Sequence, residues 1–307
     1  MRIDTLITNN AQTQGARRRE TLNRQSPQHL ENATGLMLQA VRERPYSVSR
    51  STLVLGAGAC TEVPLAALVH HSDEVTLADL DLASMQQARA ELSAPAMRKA
   101  VSLLGEDLSG GVSVHLEHLL ARQPWTTLAS QGARALFDAA ASCLDACPVP
   151  DPPRIPGLVA GNFGVVISSL VLSQLFSYPL LDVLDRVQRV APAALEEQER
   201  HKRYQEATQA FRVRVISAHL RLLRELLEPG GLAVLLCDQR GFVFDAPNAE
   251  VSTEHRRAIP LVPLAFFELI EQSFTVVEKR EWEWLTDIPA EGRYGRGYEV
   301  GGYILRR

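Results

Sequence analysis

STLVLGAGACTEVPLAALVHHSDEVTLADLD, residues 51–81, is the stretch on which the rest of the chain is arranged. Thr52-Leu53-Val54-Leu55 is a short apolar run that ends at Gly56-Ala57-Gly58-Ala59. An apolar helical segment follows, from about Glu62 to Val69. A second apolar-rich run, Val75 to Ala78, ends on Asp79. The order is strand, glycine turn, helix, strand, acid. Those parts make a nucleoside site. Glycines let the backbone pass close under a ligand, and the N-terminus of the helix sits beside it. A carboxylate at the end of the next strand can accept both ribose hydroxyl protons.

The dinucleotide fingerprint needs glycine at the first, third and sixth positions of GxGxxG. Here those positions hold Gly56, Gly58 and Thr61. The glycine that permits close helix–strand packing is absent, which sets a NAD-dependent oxidoreductase far down the order of readings. No GxxxxGK[ST] occurs at this turn, so a P-loop is excluded there. A ligand with adenosine but no pyrophosphate suits the stretch better.

LVLGAGAC resembles the first motif of the class I S-adenosylmethionine-dependent methyltransferases, a strand followed by GxGxG. The last glycine of that motif is replaced by Cys60. Two further phrases carry the resemblance. SSLVLSQL, residues 168–175, is similar to the family's fourth motif, and LLEPGGLAVLL, residues 226–236, to its approach to the fifth strand. The resemblance covers roughly residues 50–307. It implies a Rossmann-like α/β fold: a mostly parallel seven-stranded sheet with helices on both faces and a C-terminal antiparallel hairpin strand. It implies S-adenosylmethionine as cofactor, with Gly56, Ala57 and Gly58 in the turn, Asp79 on the ribose and Leu80 beside it. Asp107, just past the third strand, is placed on the adenine amino group, with Leu108 next to it. Ser168 and Ser169 complete the set at the end of the fourth strand. The chain departs from the family at Gly164, where an acid is common. It also lacks the Asn-Pro-Pro-Tyr or Asp-Pro-Pro-Tyr signature of base amino-group methylation at this strand end, which argues against a nucleic-acid base as acceptor.

Length and composition fit one large globular domain, with no long Gly/Ser or Pro-rich linker dividing the 307 residues. Residues 1–49 read as an N-terminal, partly flexible helical cap, and residues 50–307 as the main domain with an insertion at about 109–160. The net charge of −4 gives no global pull toward nucleic acid. No apolar run reaches membrane-spanning length and the N-terminus is polar, so a cytoplasmic protein is expected. Oligomeric state is not legible. Cys60, Cys143, Cys147 and Cys237 read as buried free thiols, and no metal is expected. His115 and His118 share a helix face beside Glu117, but further ligands are lacking, so a surface helix is expected there.

Within residues 1–49, HLENATGLMLQAVRER reads as an amphipathic helix with Leu30, Leu36, Leu38 and Val41 on its apolar side. Tyr46 precedes the first strand. Asp81 is read as an N-cap. Ala96 to Ala100 lead into the third strand, Val101 to Leu104. Phe163 to Ser169 is a continuous apolar run suited to a central parallel strand. PLLDVLDRVQRV, from Pro179, reads as a helix. Pro192 to Leu227 reads as one long helical segment, broken near Thr208, whose charged first half with His201 and Tyr204 projects into solvent or covers the active-site mouth. Leu232 to Asp238 reads as the fifth strand and residues 241–260 as a polar loop bearing Glu254, His255, Arg256 and Arg257. Thr275 to Trp284 and Tyr298 to Leu305 are the closing strands.

Methyl transfer from a sulfonium is an in-line displacement, so the protein's tasks are positioning and exclusion of water. A base is needed only where the acceptor is protonated at working pH. Asp238 and His255 are the candidates for that role. The acidic charge, the insertion and the long helical cover suit an enclosed pocket and a small-molecule acceptor. The rival readings are a catalytically silent cofactor-binding or partner protein of the same fold, and an aminopropyl transferase.

Overall fold

The computed structural model describes residues 26–244, 257–287 and 295–307. His255, with Glu254 and Arg256, lies outside the described residues. The strands are β1 (Ser51–Leu55), β2 (Glu74–Ala78), β3 (Val101–Leu104), β4 (Phe163–Ser169), β5 (Leu227–Phe244), β6 (Arg257–Pro260), β7 (Thr275–Asp287) and β8 (Gly295–Arg306). Their order across the sheet is β3-β2-β1-β4-β5-β8-β7, with β6 paired to β5 off this path. The first five are mutually parallel, and β8 runs antiparallel to both β5 and β7. This is the class I Rossmann-like fold.

Period-two alternation decides which side chains enter which face. Leu53, Leu55, Val166, Ala233 and Leu235 enter one core. Val54, Val165, Ile167, Val234 and Leu236 enter the other. Every residue of β4 is buried, as a strand covered on both faces requires. The second core is closed by α1 (Pro27–Glu43), α2 (Leu65–His71) and α3 (Leu82–Ala90). On α1, Ala33, Leu36, Met37, Ala40 and Val41 are buried. Its His29 stacks on Trp284 at 4.3 Å and accepts a 2.9 Å hydrogen bond at Nδ1 from Trp282 of β7. The N-terminal helix is therefore packed on the sheet.

The lead into β3 is a short helix, α4 (Pro95–Lys99). Two readings of the later connections need correction. The helix read from Pro179 begins seven residues earlier: α8 spans Leu172–Val190 and carries Pro179 inside it, buried on the core face. Proline there forfeits one backbone hydrogen bond, and burial of its ring offsets the loss. The long segment after it breaks at His201, not near Thr208. A 3-10 stretch, Pro192–Arg200, precedes α9 (Lys202–Leu226). Nor is the start of α9 solvated all round, because Tyr204 is buried and its ring lies 5.0 Å from Phe137. His201 stacks on the same ring at 4.6 Å.

The polar-loop reading of 241–260 also fails at both ends. β5 continues to Phe244 with Phe242 and Phe244 buried, and Arg240 to Val243 pair with β6. The insertion contains α5 (Val112–Ala121), α6 (Trp125–Ser130) and α7 (Ala133–Ala146). It packs with α8, α9 and α10 (Phe266–Ser273) into the first core. No helix among the described residues is long and apolar enough to cross a membrane.

The length of α9 carries it well beyond the sheet. Leu227 pairs with Phe163 at the start of β4, while His219 reaches Ser168 near its end. Eight residues of helix thus climb the strand. Lys202 to Ala218 add about 25 Å beyond that level. The upper part of α9, with α8 and α7, forms a helical layer past the carboxyl edge of the sheet.

Packing explains why Gly164 stands where the resembled pattern often has an acid. A Cβ there would stand 2.0 Å from the Ser49 carbonyl oxygen and 3.0 Å from the Arg44 side chain. The chain entering β1 occupies the place of any side chain. Gly164→Ala is expected to cost about 3 kcal/mol, the upper range for overpacking. Urea unfolding of the variant against the parent chain checks this.

Candidate functional site

The site lies at the carboxyl ends of β1, β2, β3 and β4, where ligands bind in open α/β sheets. Gly56 and Gly58 have φ of +74° and +46°. The Gly56 N–H donates to the Ala78 carbonyl at 2.9 Å, tying the turn to β2. A Cβ on Gly56 would lie 2.5 Å from Cβ of Val171 and 3.0 Å from the Ser169 carbonyl. Only glycine fits between the turn and the exit of β4. Ala57 is buried under the turn.

Cys60, where the resembled motif has its last glycine, takes a left-handed backbone, φ +52°. Its N–H closes the turn onto the Ala57 carbonyl at 2.8 Å. The conformation that favours glycine is present without the glycine. Cys60→Gly is expected to leave any cofactor affinity unchanged. Cys60→Val is expected to lower stability by about 2 kcal/mol, because a β-branched side chain resists positive φ. Paired thermal melts and ligand titrations separate the two.

Asp79 faces the turn. Its Oδ2 accepts the Gly58 N–H at 3.0 Å and its Oδ1 the Asp81 N–H at 2.9 Å. Burial pushes its carboxyl above the usual range, against the pull chiefly of the Asp81 and Gly58 N–H groups that it accepts. A carboxylate offers about four acceptor sites, so capacity remains for two more donors. A ribose diol supplies two. Leu80, next along, is exposed (67 %). Asp81 caps α3, accepting from the N–H and hydroxyl of Ser84 at 3.0 and 2.6 Å.

Asp107 is already busy. Its Oδ1 accepts from the N–H and Oγ of Ser109 at 2.8 and 2.7 Å, and its Oδ2 from the Gly111 N–H at 3.0 Å. It shapes the turn into α5 and retains room for about one further donor. The Leu108 side chain is buried in the first core, so only its main chain is left for a ligand. The Ser168 hydroxyl is buried and bonded to His219 Nε2 at 2.9 Å. Burial lowers that histidine to about 4. Ser169 is buried too, and its carbonyl borders Gly56. After it, Leu170 takes φ +54°, held by its N–H on the Leu236 carbonyl at 3.1 Å.

Asp238 is buried, and Ser173 Oγ donates to its Oδ2 at 3.1 Å. That contact brings the acid to the first turn of α8, just past the β4 exit. Tyr46 is fully exposed. All four cysteines are buried thiols, and burial raises that of Cys147 to about 11. No cluster able to hold a metal occurs among the described residues. Glu117 is taken by an ion pair with Arg186. His219 had no sequence signal as a site residue, and Ser173 had only its place in the SSLVLSQL phrase; each gains its meaning from a distant partner.

No family model matches the chain, and no curated protein does. Solved structures with a related course of the chain exist. A candidate methyltransferase of Bacillus halodurans has 11 % identity over 89 % of this chain and 96 % of its own, with a TM-score of 0.43. The glycopeptide N-methyltransferase MtfA complexed with S-adenosylmethionine has 16 % identity over 90 % and 94 %, with a TM-score of 0.37. An arsenic(III) S-adenosylmethionine methyltransferase from Chlamydomonas reinhardtii has 14 % identity over 89 % and 74 %, with a TM-score of 0.37. Likeness this slight says nothing of the reaction.

Proposed function

We propose that the chain is an S-adenosylmethionine-dependent methyltransferase acting on a small-molecule acceptor. The observation that carries this reading is the carboxylate of Asp79, held at the end of β2 by the Gly58 and Asp81 N–H groups, with acceptor capacity left for a diol. Gly56, Ala57 and Gly58 would hold the cofactor's amino-acid end, Asp79 its ribose, and Leu80 with the 105–108 turn its base. When bound, the cofactor supplies an electrophilic methyl group on a sulfonium. The chain's own tasks are then positional. The exit of β4, Ser169 to Val171, sets one wall beside the glycine turn. The helical layer past the sheet edge keeps water from the acceptor. Asp238, bonded by Ser173, is our candidate to take a proton at its carboxylate where the acceptor carries one.

Calorimetric titration with S-adenosylmethionine, S-adenosylhomocysteine and NAD tests the reading. Micromolar binding of the first two supports it. Binding of NAD alone, or of none, sinks it; the latter result favours a partner protein of the same fold.

A further inference from the structure

One charge in the helical layer stands apart from its neighbours. α9 carries five arginines. Arg203 donates to Ser142 Oγ at 2.8 Å, and Arg221 pairs with Asp151 at 2.9 Å. Arg214 caps α7 through the Leu144 and Cys147 carbonyls at 2.6 and 3.1 Å, and Arg224 bonds the Ser273 carbonyl. Arg212 has no hydrogen bond and no carboxylate partner among the described residues, and its Nε is sealed from solvent. Its guanidinium lies 5.8 Å from the centre of the Phe176 ring of α8. The phenol of Tyr204, two turns earlier on α9, is close enough to feel its charge.

Its place is as telling as its isolation. His219 marks the level of Ser168, and Arg212 is two turns above it, about 10 Å beyond the strand end. Phe176 is one turn past Ser173, which holds Asp238. The cation therefore overlooks the β4 exit, where the methyl acceptor would lie. A half-buried cation without a counter-charge costs free energy that a structural role does not recover. A ligand anion recovers it.

We propose that Arg212 binds a carboxylate of the acceptor, so that the substrates are small carboxylic acids methylated at another atom; this rests on the methyltransferase reading above. The planar fork matches a carboxylate in two parallel hydrogen bonds, with the Phe176 ring against the guanidinium. A phosphate dianion would bring more charge than one partly dehydrated arginine neutralises.

The test uses the full chain saturated with S-adenosylhomocysteine. The probes are hydroxybenzoates, hydroxycinnamates and short hydroxy and amino acids, each beside its primary amide, with phosphate monoesters as a third arm. Thermal shift, then calorimetry, reads binding. At least one acid is expected to bind ten-fold or more tighter than its amide. Arg212→Gln is expected to erase that preference, and Arg212→Lys to keep part of it. S-adenosylhomocysteine affinity is expected to be unchanged in both variants, which separates this proposal from the cofactor reading. Arg212→Met is expected to melt no lower than the parent chain. A library without an acid-over-amide preference, preference for phosphate, an unaltered preference in Arg212→Gln, or a destabilised Arg212→Met overturns the proposal.

Discussion

Replacing Asp79 by Ala is expected to weaken S-adenosylhomocysteine binding at least 100-fold. Each ribose hydroxyl that donates to an ionised carboxylate contributes about 1.5–3 kcal/mol. Two such bonds exceed the roughly 2.7 kcal/mol that a 100-fold change in affinity represents. The same carboxylate organises the turn by accepting the Gly58 and Asp81 N–H groups. Asp79→Asn is the sharper probe, because it keeps the shape and one acceptor oxygen while removing the charge. Calorimetry on both variants, with circular dichroism to confirm folding, reads the result. A loss smaller than ten-fold in both would remove Asp79 from the cofactor site.

The pH dependence of that binding has a definite sign. Burial raises the Asp79 carboxyl above its ordinary value of 3.8. For the free chain, this group's contribution to stability is full below the unfolded value and is lost as pH rises through the folded one. Ligand affinity moves the other way, since only the ionised form accepts two hydroxyl protons. Binding is expected to fall on acidification at a pH above the usual aspartate range.

The turn and the acid were legible because they are local. Gly56, Gly58 and Asp79 announce themselves within one strand–turn–helix–strand unit, and short apolar runs marked β1, β2 and β4. The parts that escaped are tertiary. Ser168 meets His219 across 51 residues and Ser173 meets Asp238 across 65. Both serines lie in the SSLVLSQL phrase, but nothing in the sequence joins either to its partner. Tyr204 looked solvated because its sequence neighbours are charged, yet α7 brings Phe137 onto it. The far half of β5 hid in a polar stretch, where only the alternation of Phe242 and Phe244 signalled a strand. Gly164 looked like a missing functional residue, whereas the Ser49 carbonyl leaves no space for a side chain.

His219 carries the second large effect. It is the wholly buried histidine of α9, and its Nδ1 has no hydrogen-bond partner among the described residues. Burial holds it neutral down to about 4, against an ordinary value of 6.5. In the unfolded chain it takes up a proton near 6.5, while the folded chain resists. Its contribution to stability is therefore present above 6.5 and is lost as pH falls toward 4. At 1.36 kcal/mol per pKa unit the loss amounts to about 3 kcal/mol. Urea unfolding followed by tryptophan fluorescence at pH 7.5, 5.5 and 4.0 is expected to show the parent chain losing that much more stability than His219→Gln. The glutamine amide can still bond the Ser168 hydroxyl, so the variant isolates the titration. Asp79 acts with the opposite sign in the lower part of the same window, but it is present in both proteins and cancels in the difference. Parallel pH profiles for the two would mean that the imidazole is protonated in the fold, and that the Ser168–His219 pair sits closer to water than its burial implies.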